Sequence, residues 1–355
     1  MKSACLNALS NEKLVMGESV LKFEEEFARF CGVSHAVSTS SGTDALIITL
    51  NGLGLEGKKV LTTPASFVAT ANSVIYAGAT PVFADARKDD YSLDPGEVRK
   101  KSGFSALLPV HLYGHPARMN ELNEIALSKG IPVIEDACQA HGAEYEGRKA
   151  GSLATAGCFS FYPTKNLTVA GDGGMITTND SALAKKAAKI RDCGRASQYE
   201  HDVLGRTSRL NTVNAAIGRI QLKRLDSWNE ARKRLALKYF GSLKNVDEII
   251  LPPMPSRSVQ PVYHLFPIMT QRRNELKEFL QKRGIGTGTN YPVPIHLQPL
   301  YREKFGYKKG DFPVAEKISD EVLCLPMFVE LKSEELNAVC EAVKDFFSGK
   351  REAET

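Results

Sequence analysis

The chain has 355 residues, 43% of them hydrophobic and 25% charged, with a net charge of +5. That length exceeds what one core usually supports and predicts a large domain with a smaller one. The balance is that of a globular protein, no apolar run is long enough to span a bilayer, and the Lys and Arg residues lack the clustering of a nucleic-acid binder.

The N-terminal stretch MKSACLNALSNEKL is interrupted by polar residues too early for a secretory signal, so a cytoplasmic protein is expected. From about Ser34 to Asn179, strand-like and helix-like patterns alternate. The strands are HAVSTS from His35, KVLTTP from Lys59, TPVFADA from Thr80, ALLPVHLYG from Ala106, PVIEDAC from Pro132, CFSFYP from Cys158 and GMITTN from Gly174. Between them lie helical patterns such as GTDALIITLNGL, ASFVATANSVIYAG and RMNELNEIALSKG, the last stopped by Gly130. This is the signature of an α/β domain with a mostly parallel sheet flanked by helices on both faces. From Ser181 to Tyr239 the pattern is helical, with a polar loop near Arg195 to Gly205. After Pro252, Pro253 and Pro255 a smaller α+β unit follows, with VYHLFPIMT as a strand and NELKEFLQKRG as a helix capped by Gly284. The tail GKREAET is polar and expected to fray.

Several tempting signals fail. Seven cysteines, with no C-x-x-C pair, give neither a disulfide framework nor a zinc site; Cys138 and Cys158 fit small core positions. Gly52, Gly54 and Gly57 match G-x-G-x-x-G, but a helix precedes them and a strand follows, the reverse of a dinucleotide site. His111 and His115 flank a loop, so their spacing places no metal.

Ligands in such sheets sit beyond the carboxyl ends of the strands, and four pieces of sequence fall there. Ser41, Gly42 and Thr43 begin a helix after a strand, where free N–H groups suit a phosphate; an ordinary N-cap reads the same way. Phe67 begins a helix after the next strand and can stack on a flat ring, or simply fill a core. Asp136 ends an apolar strand and can hold a pyridine nitrogen protonated, with Gln139 one helical turn on; the alternative is a helix cap. Lys165 follows Ser160-Phe-Tyr-Pro-Thr and precedes Gly171-Asp-Gly-Gly174. Burial would make its amine nucleophilic toward a carbonyl cofactor, Ser160 could donate to a phosphate, and the glycines would let the backbone approach a ligand; the alternative is a surface lysine in a turn.

With these blocks in this order, the chain resembles the DegT/DnrJ-type sugar aminotransferases, a fold type I family dependent on pyridoxal 5′-phosphate. The blocks FEEEFARFCGVSHAVSTSSGTDAL, IEDACQAHGAEYEG, SFYPTKNL, GDGGMITTND, RLNTVNAAIGRIQL and YPVPIHLQPLY carry the resemblance along nearly the whole length. It implies a large cofactor-binding domain at 1–235 and a small domain at 236–355. It also implies an imine on Lys165, a ring-nitrogen contact from Asp136 and a ring-hydroxyl contact from Gln139. Gly42, Thr43 and Ser160 would hold the phosphate, and Phe67 would cover the ring. The family forms homodimers in which an asparagine of a G-Y-N-x-R-L block reaches the partner's phosphate. Here that block reads Gly205-Arg206-Thr207-Ser208-Arg209-Leu210, so the resemblance leaves the contact to Thr207 or Arg206. The implied reaction moves an amino group from glutamate to a keto sugar, one linked to a nucleotide. His111, Arg195, Tyr199, His201, Asn290, Tyr291 and His296 are acceptor-site candidates, each equally able to play a structural role. A dehydratase or deoxygenase is the alternative; some dehydrating relatives replace the lysine by histidine, which Lys165 argues against, while other lyase members retain the lysine. A regulatory protein on the same scaffold would be expected to lose the lysine or the aspartate, and both are present.

Overall fold

The structure, a computed structural model, describes residues 1–349. The frayed tail expected from GKREAET therefore lies, from Lys350 on, outside the described residues. In chain order the strands are β1 (His35–Thr39), β2 (Lys59–Thr62), β3 (Thr80–Phe83), β4 (Ala106–Leu108), β5 (Ile134–Asp136), β6 (Glu144–Tyr145) and β7 (Arg148–Lys149). They continue with β8 (Ala156–Ser160), β9 (Gly174–Thr178), β10 (Val259–Gln260), β11 (Phe266–Met269) and β12 (Val322–Leu325).

Strands β3-β2-β4 pair in parallel, and so do β5 and β8. Parallel bridges Leu107–Val133 and Val110–Asp136 join the two groups. Beyond β8 come β9, antiparallel to both neighbours, and then β1, giving the order β3-β2-β4-β5-β8-β9-β1. The expected mostly parallel sheet is present, with one reversed strand. The reversal has a simple cause: residues 161–173 join β8 to β9 without a crossover helix, so the chain turns back along the strand it has just left. Pro81 is accommodated because β3 is an edge strand.

Side chains alternate across the sheet and separate its two faces. Cys158 and Ile176 join one core with Leu46, Ile48 and Ile190, under helices Gly42–Gly52 and Ser181–Arg191. Phe159 and Met175 join the other with Phe23, Phe27 and Leu225, under helices Glu18–Cys31 and Thr212–Leu243. The helix Glu18–Cys31 was not anticipated from sequence. Helix Thr212–Leu243 runs on into a second core, where Tyr239 stacks on Phe266 at 4.7 Å. There β11 and β12 pair antiparallel beneath helices Arg273–Lys282 and Ser333–Ser348. The intervening chain crosses back to the large sheet: Ile295 N donates to Pro64 O (2.9 Å) and Tyr301 Oη to Asn72 Oδ1 (2.8 Å). No helix among the described residues is long and apolar enough to cross a membrane.

Predicted strand ends contract where the backbone cannot pair. Strand β4 stops at Leu108 because Pro109 follows, and β11 begins only at Phe266, after Tyr263 at φ +46°. No helix follows β5: residues 137–143 form turns, so Gln139 is not one helical turn from Asp136 but on a turn.

Strand β5 also anchors what lies beneath it. Glu135 is fully buried and accepts from the backbone N–H groups of Gly151 (2.7 Å), Leu153 (2.8 Å) and Ala154 (3.0 Å). His111 Nδ1 accepts from Ala117 N, which leaves its Nε2–H to donate to Glu135 at 3.0 Å. Glu135→Ala would strand all four donors in the core, and a loss of at least about 3 kcal/mol is expected in urea unfolding. Glu135→Gln, which keeps one acceptor oxygen and the volume, is expected to lose clearly less.

Candidate active site

Because β1, β2, β4, β5 and β8 run in one direction, the segments after them converge on one edge. A cavity of about 490 Å³ opens there, of a size suited to a cofactor or small ligand. Its lining includes Ser41, Gly42, Thr43, Phe67, Asp136, Gln139, Ser160 and Lys165. Seven of the eight residues expected from sequence, all but Thr207, are thereby brought together.

Lys165 sits in the 161–173 loop, its N–H donating to Tyr162 O at 2.8 Å. The residue is half-buried, and among the described residues its Nζ has neither a hydrogen-bond nor an ion-pair partner. Burial, which penalises the charged form, holds its pKa below the usual lysine value; Cys138 and Asp136 act in the opposite direction without cancelling it.

Asp136 is 5% exposed. Its Oδ2 accepts from Thr70 Oγ1 at 2.7 Å and its Oδ1 from Cys138 N at 3.3 Å. Ser66 Oγ lies 2.8 Å from Thr70 Oγ1, so a short hydroxyl chain fixes the carboxylate. With no helix after it, Asp136 caps nothing helical, and the cap alternative falls away.

Opposite these residues, helix Gly42–Gly52 begins at the cavity, with Ser41 Oγ accepting from Asp44 N at 3.1 Å. Its first N–H groups have no partner within the helix and face an end that favours anions. Gly42 is required by packing: a Cβ there would lie 2.7 Å from Ser160 Cβ and 2.8 Å from Cys138 Sγ. Phe67 is the N-cap of helix Val68–Tyr76, half exposed, with its ring 5.4 Å from that of Tyr291 and tilted by 36°. Gln139 Oε1 accepts from Tyr113 N (2.7 Å), and its Nε2 donates to Tyr291 Oη (3.2 Å), leaving one amide hydrogen free.

Thr207, expected at the phosphate of a partner chain, is exposed and lies outside the cavity of its own chain, with Oγ1 3.3 Å from Cys193 Sγ, while Arg206 pairs with Asp44 at 3.1 Å. Other expectations need correction. Gly174 makes room for backbone rather than ligand, since a Cβ there would lie 2.3 Å from Ser41 O. Of the seven acceptor candidates only Tyr291 lines the cavity. His111 is committed to Glu135, His296 to Glu316 (3.1 Å) and His201 to Cys193 O (2.8 Å). Asn290 faces Tyr113 through its backbone oxygen, and Arg195 and Tyr199 lie on an exposed loop. Cys138, expected at a core position, lines the cavity, Tyr162, Thr164 and Asp172 line it without having been singled out, and Thr70 acquires a role. Thr70 was findable, three residues after Phe67 and so one turn into the same helix.

The DegT/DnrJ/EryC1/StrS aminotransferase family matches residues 1–344. The chain belongs to this family. A dTDP-3-amino-3,4,6-trideoxy-alpha-D-glucose transaminase of Streptomyces venezuelae is 41% identical over 97% of this chain and 91% of that protein. A pleiotropic regulatory protein of Geobacillus stearothermophilus is also 41% identical, over 96% of this chain and 92% of its own. Among solved structures, S. venezuelae DesV in complex with a ketimine intermediate superposes with a TM-score of 0.95 at 41% identity, covering 99% of this chain and 94% of that one. The family relationship therefore spans both the sheet that carries the cavity and the C-terminal unit.

An amine with a lowered pKa is neutral, and therefore nucleophilic, at lower pH than its surface counterparts. Labelling of Lys165 by trinitrobenzenesulfonate, followed by peptide mass spectrometry across a pH series, is expected to give a midpoint below the value of about 10.4 usual for lysine. A midpoint at or above that value would contradict the burial argument.

Proposed function

We propose that this chain transfers an amino group from glutamate to a keto sugar, with pyridoxal 5′-phosphate as its resident cofactor. The observation that carries this reading is the meeting, in one cavity, of an unpaired lysine amine, a hydrogen-bonded aspartate and the open start of a helix. These groups match an aldehyde, a pyridine nitrogen and a phosphate respectively. When bound, the cofactor supplies an electron sink that allows a proton to leave the α-carbon of an amino acid.

Each residue then has a task. Lys165 Nζ would hold the cofactor through its aldehyde and would serve as the base and acid for the proton at the substrate's α-carbon. Asp136, steadied by Thr70, holds the ring nitrogen and favours its protonated form. Gly42 and Thr43 offer N–H groups and a hydroxyl to the phosphate, with Ser160 beside them. Phe67 would cover a ring face, and the remaining amide hydrogen of Gln139 would be available to the ring hydroxyl. The acceptor is read as a nucleotide-linked 3- or 4-keto-deoxyhexose, a reading supported by the name of the Streptomyces relative. We take residues 1–235 as the cofactor-binding domain and the remainder as the small one, with helix Thr212–Leu243 crossing between them. The working unit is read as a homodimer. With Arg206 engaged by Asp44, the exposed Thr207 is the residue left to reach a partner's phosphate.

The Geobacillus relative's description favours a second reading, a regulatory role. The meeting of Lys165 and Asp136 in one cavity argues for catalysis. Borohydride reduction of the holoprotein is expected to leave a pyridoxyl mass on the peptide containing Lys165. Glutamate is expected to convert the holoprotein to its pyridoxamine form with one equivalent of 2-oxoglutarate. Lys165→Ala should lower transfer by at least about 10²–10⁴-fold. A colourless protein that takes up no cofactor would favour regulation, and cofactor uptake without 2-oxoglutarate would favour a lyase.

A further inference from the structure

Next to Lys165 lies a buried polar knot that the chemistry above does not use. Asn166, 6% exposed, donates from Nδ2 to Asn229 Oδ1 (3.0 Å) and to Val262 O (3.2 Å). Both amide hydrogens thereby face acceptors, which fixes the amide's orientation and leaves the acceptor Oδ1 toward His264. The 3.2 Å contact with His264 Nδ1 then fixes the imidazole proton on that nitrogen. Asn229 Nδ2 donates in turn to His141 O at 2.8 Å. Three residues along the same helix, Arg232 donates to the carbonyls of Tyr263 (3.1 Å), His264 (3.3 Å) and Met327 (3.0 Å). Asn229, Arg232 and His264 are all under 10% exposed. Burial and the positive neighbours Lys165 and Arg232 hold the His264 pKa well below the usual histidine value, so the ring presents one defined donor.

The knot joins three parts of the molecule at the lysine loop. One is the turn after Asp136, one is helix Thr212–Leu243, and one is the root of the C-terminal unit at Val262–Leu265 with Met327 beyond β12. Well-packed apolar residues would serve stability equally well. The directional bonds of Asn166 and Asn229, whose amide groups all find partners, do something they cannot: they select one orientation. A lysine that must pass a proton between two adjacent carbons needs such a fixed seat, because a shift of about 1 Å costs on the order of 10²-fold in rate.

We propose that Asn166, Asn229 and His264 are positioning residues that set where Lys165 Nζ rests and couple that position to the seat of the C-terminal unit. The proposal rests on the assignment of Lys165 made above. The test uses holoprotein carrying Asn166→Ala, Asn229→Ala, both together, His264→Leu or His264→Asn. In each, pyridoxyl labelling after borohydride, single-turnover reaction with glutamate, the KM for glutamate and the effect of α-deuterated glutamate are measured. The expected result is full labelling, a rate lower by about 10- to 100-fold, a KM within about threefold and a larger isotope effect. The double variant should be no slower than the slower single one. His264→Asn, whose amide nitrogen can stand in for Nδ1, should recover most of the rate that His264→Leu loses. Fully labelled variants reacting within twofold of the parent would overturn the proposal, as would multiplicative losses or a His264→Leu faster than His264→Asn. If the alanine variants do not fold, the two His264 variants decide alone. An unlabelled Lys165 in the parent would instead refute the cofactor assignment, and this proposal with it.

Discussion

The partial burial of one amine that makes no ion pair among the described residues governs the whole site. A cation in that position is costly, so the burial that surrounds Lys165 favours its neutral form. Asp136 acts in the opposite direction but is outweighed by burial, and its oxygens accept from Thr70 Oγ1 and the Cys138 N–H rather than from the lysine. Two groups of opposite character thus share one cavity without collapsing onto each other. The separation is maintained by the rigid elements that carry them: Asp136 ends β5, and Lys165 sits on a loop pinned between β8 and β9. Chemistry on a ring that must be held at both ends depends on that separation.

Topology makes the arrangement affordable. Five strands deliver their following segments to one edge, and reversal of β9 returns the chain across the same edge. A crossover helix after β8 would have carried the lysine to a sheet face. The short return instead leaves it beside Ser160, whose neighbour Gly42 has no room for a side chain. Helix Gly42–Gly52 is pressed so close to β8 that its first turn and the lysine loop form opposite walls of the same cavity.

The sequence made this edge legible because strand ends and helix starts are local signals. His35–Thr39 running into Gly42–Gly52, and Ile134–Asp136 with its terminal carboxylate, could be placed from periodicity and cap residues alone. Partnerships made at a distance could not. His111 looked available on a loop, yet Glu135, 24 residues away, claims it; His296 is claimed by Glu316. After Asp136 the sequence Ala137-Cys138-Gln139-Ala140 has no Gly or Pro to forbid a helix, yet tertiary hydrogen bonds such as Ala137 N to Cys158 O and Tyr113 N to Gln139 Oε1 hold it as a turn. Thr207 was assigned by a role that a single chain does not display.

A pattern repeats in two dipeptides of the site. In Glu135-Asp136 the second residue faces the cavity and the first is buried on a framework of backbone donors. In Lys165-Asn166 the order is reversed: the first residue faces the cavity and the second is buried among Asn229, Val262 and His264. Adjacent side chains in extended or turning backbone point apart, so a residue used for chemistry automatically aims its neighbour into the protein. An apolar neighbour would hold its position by volume, which permits small rotations. A neighbour with several directional bonds resists rotation as well as translation, and it transmits that constraint through one peptide unit to the working group. This accounts for two polar side chains, Glu135 and Asn166, in places where burial alone would have selected leucine or valine, and Asn229 and His264 supply the directional bonds that Asn166 needs.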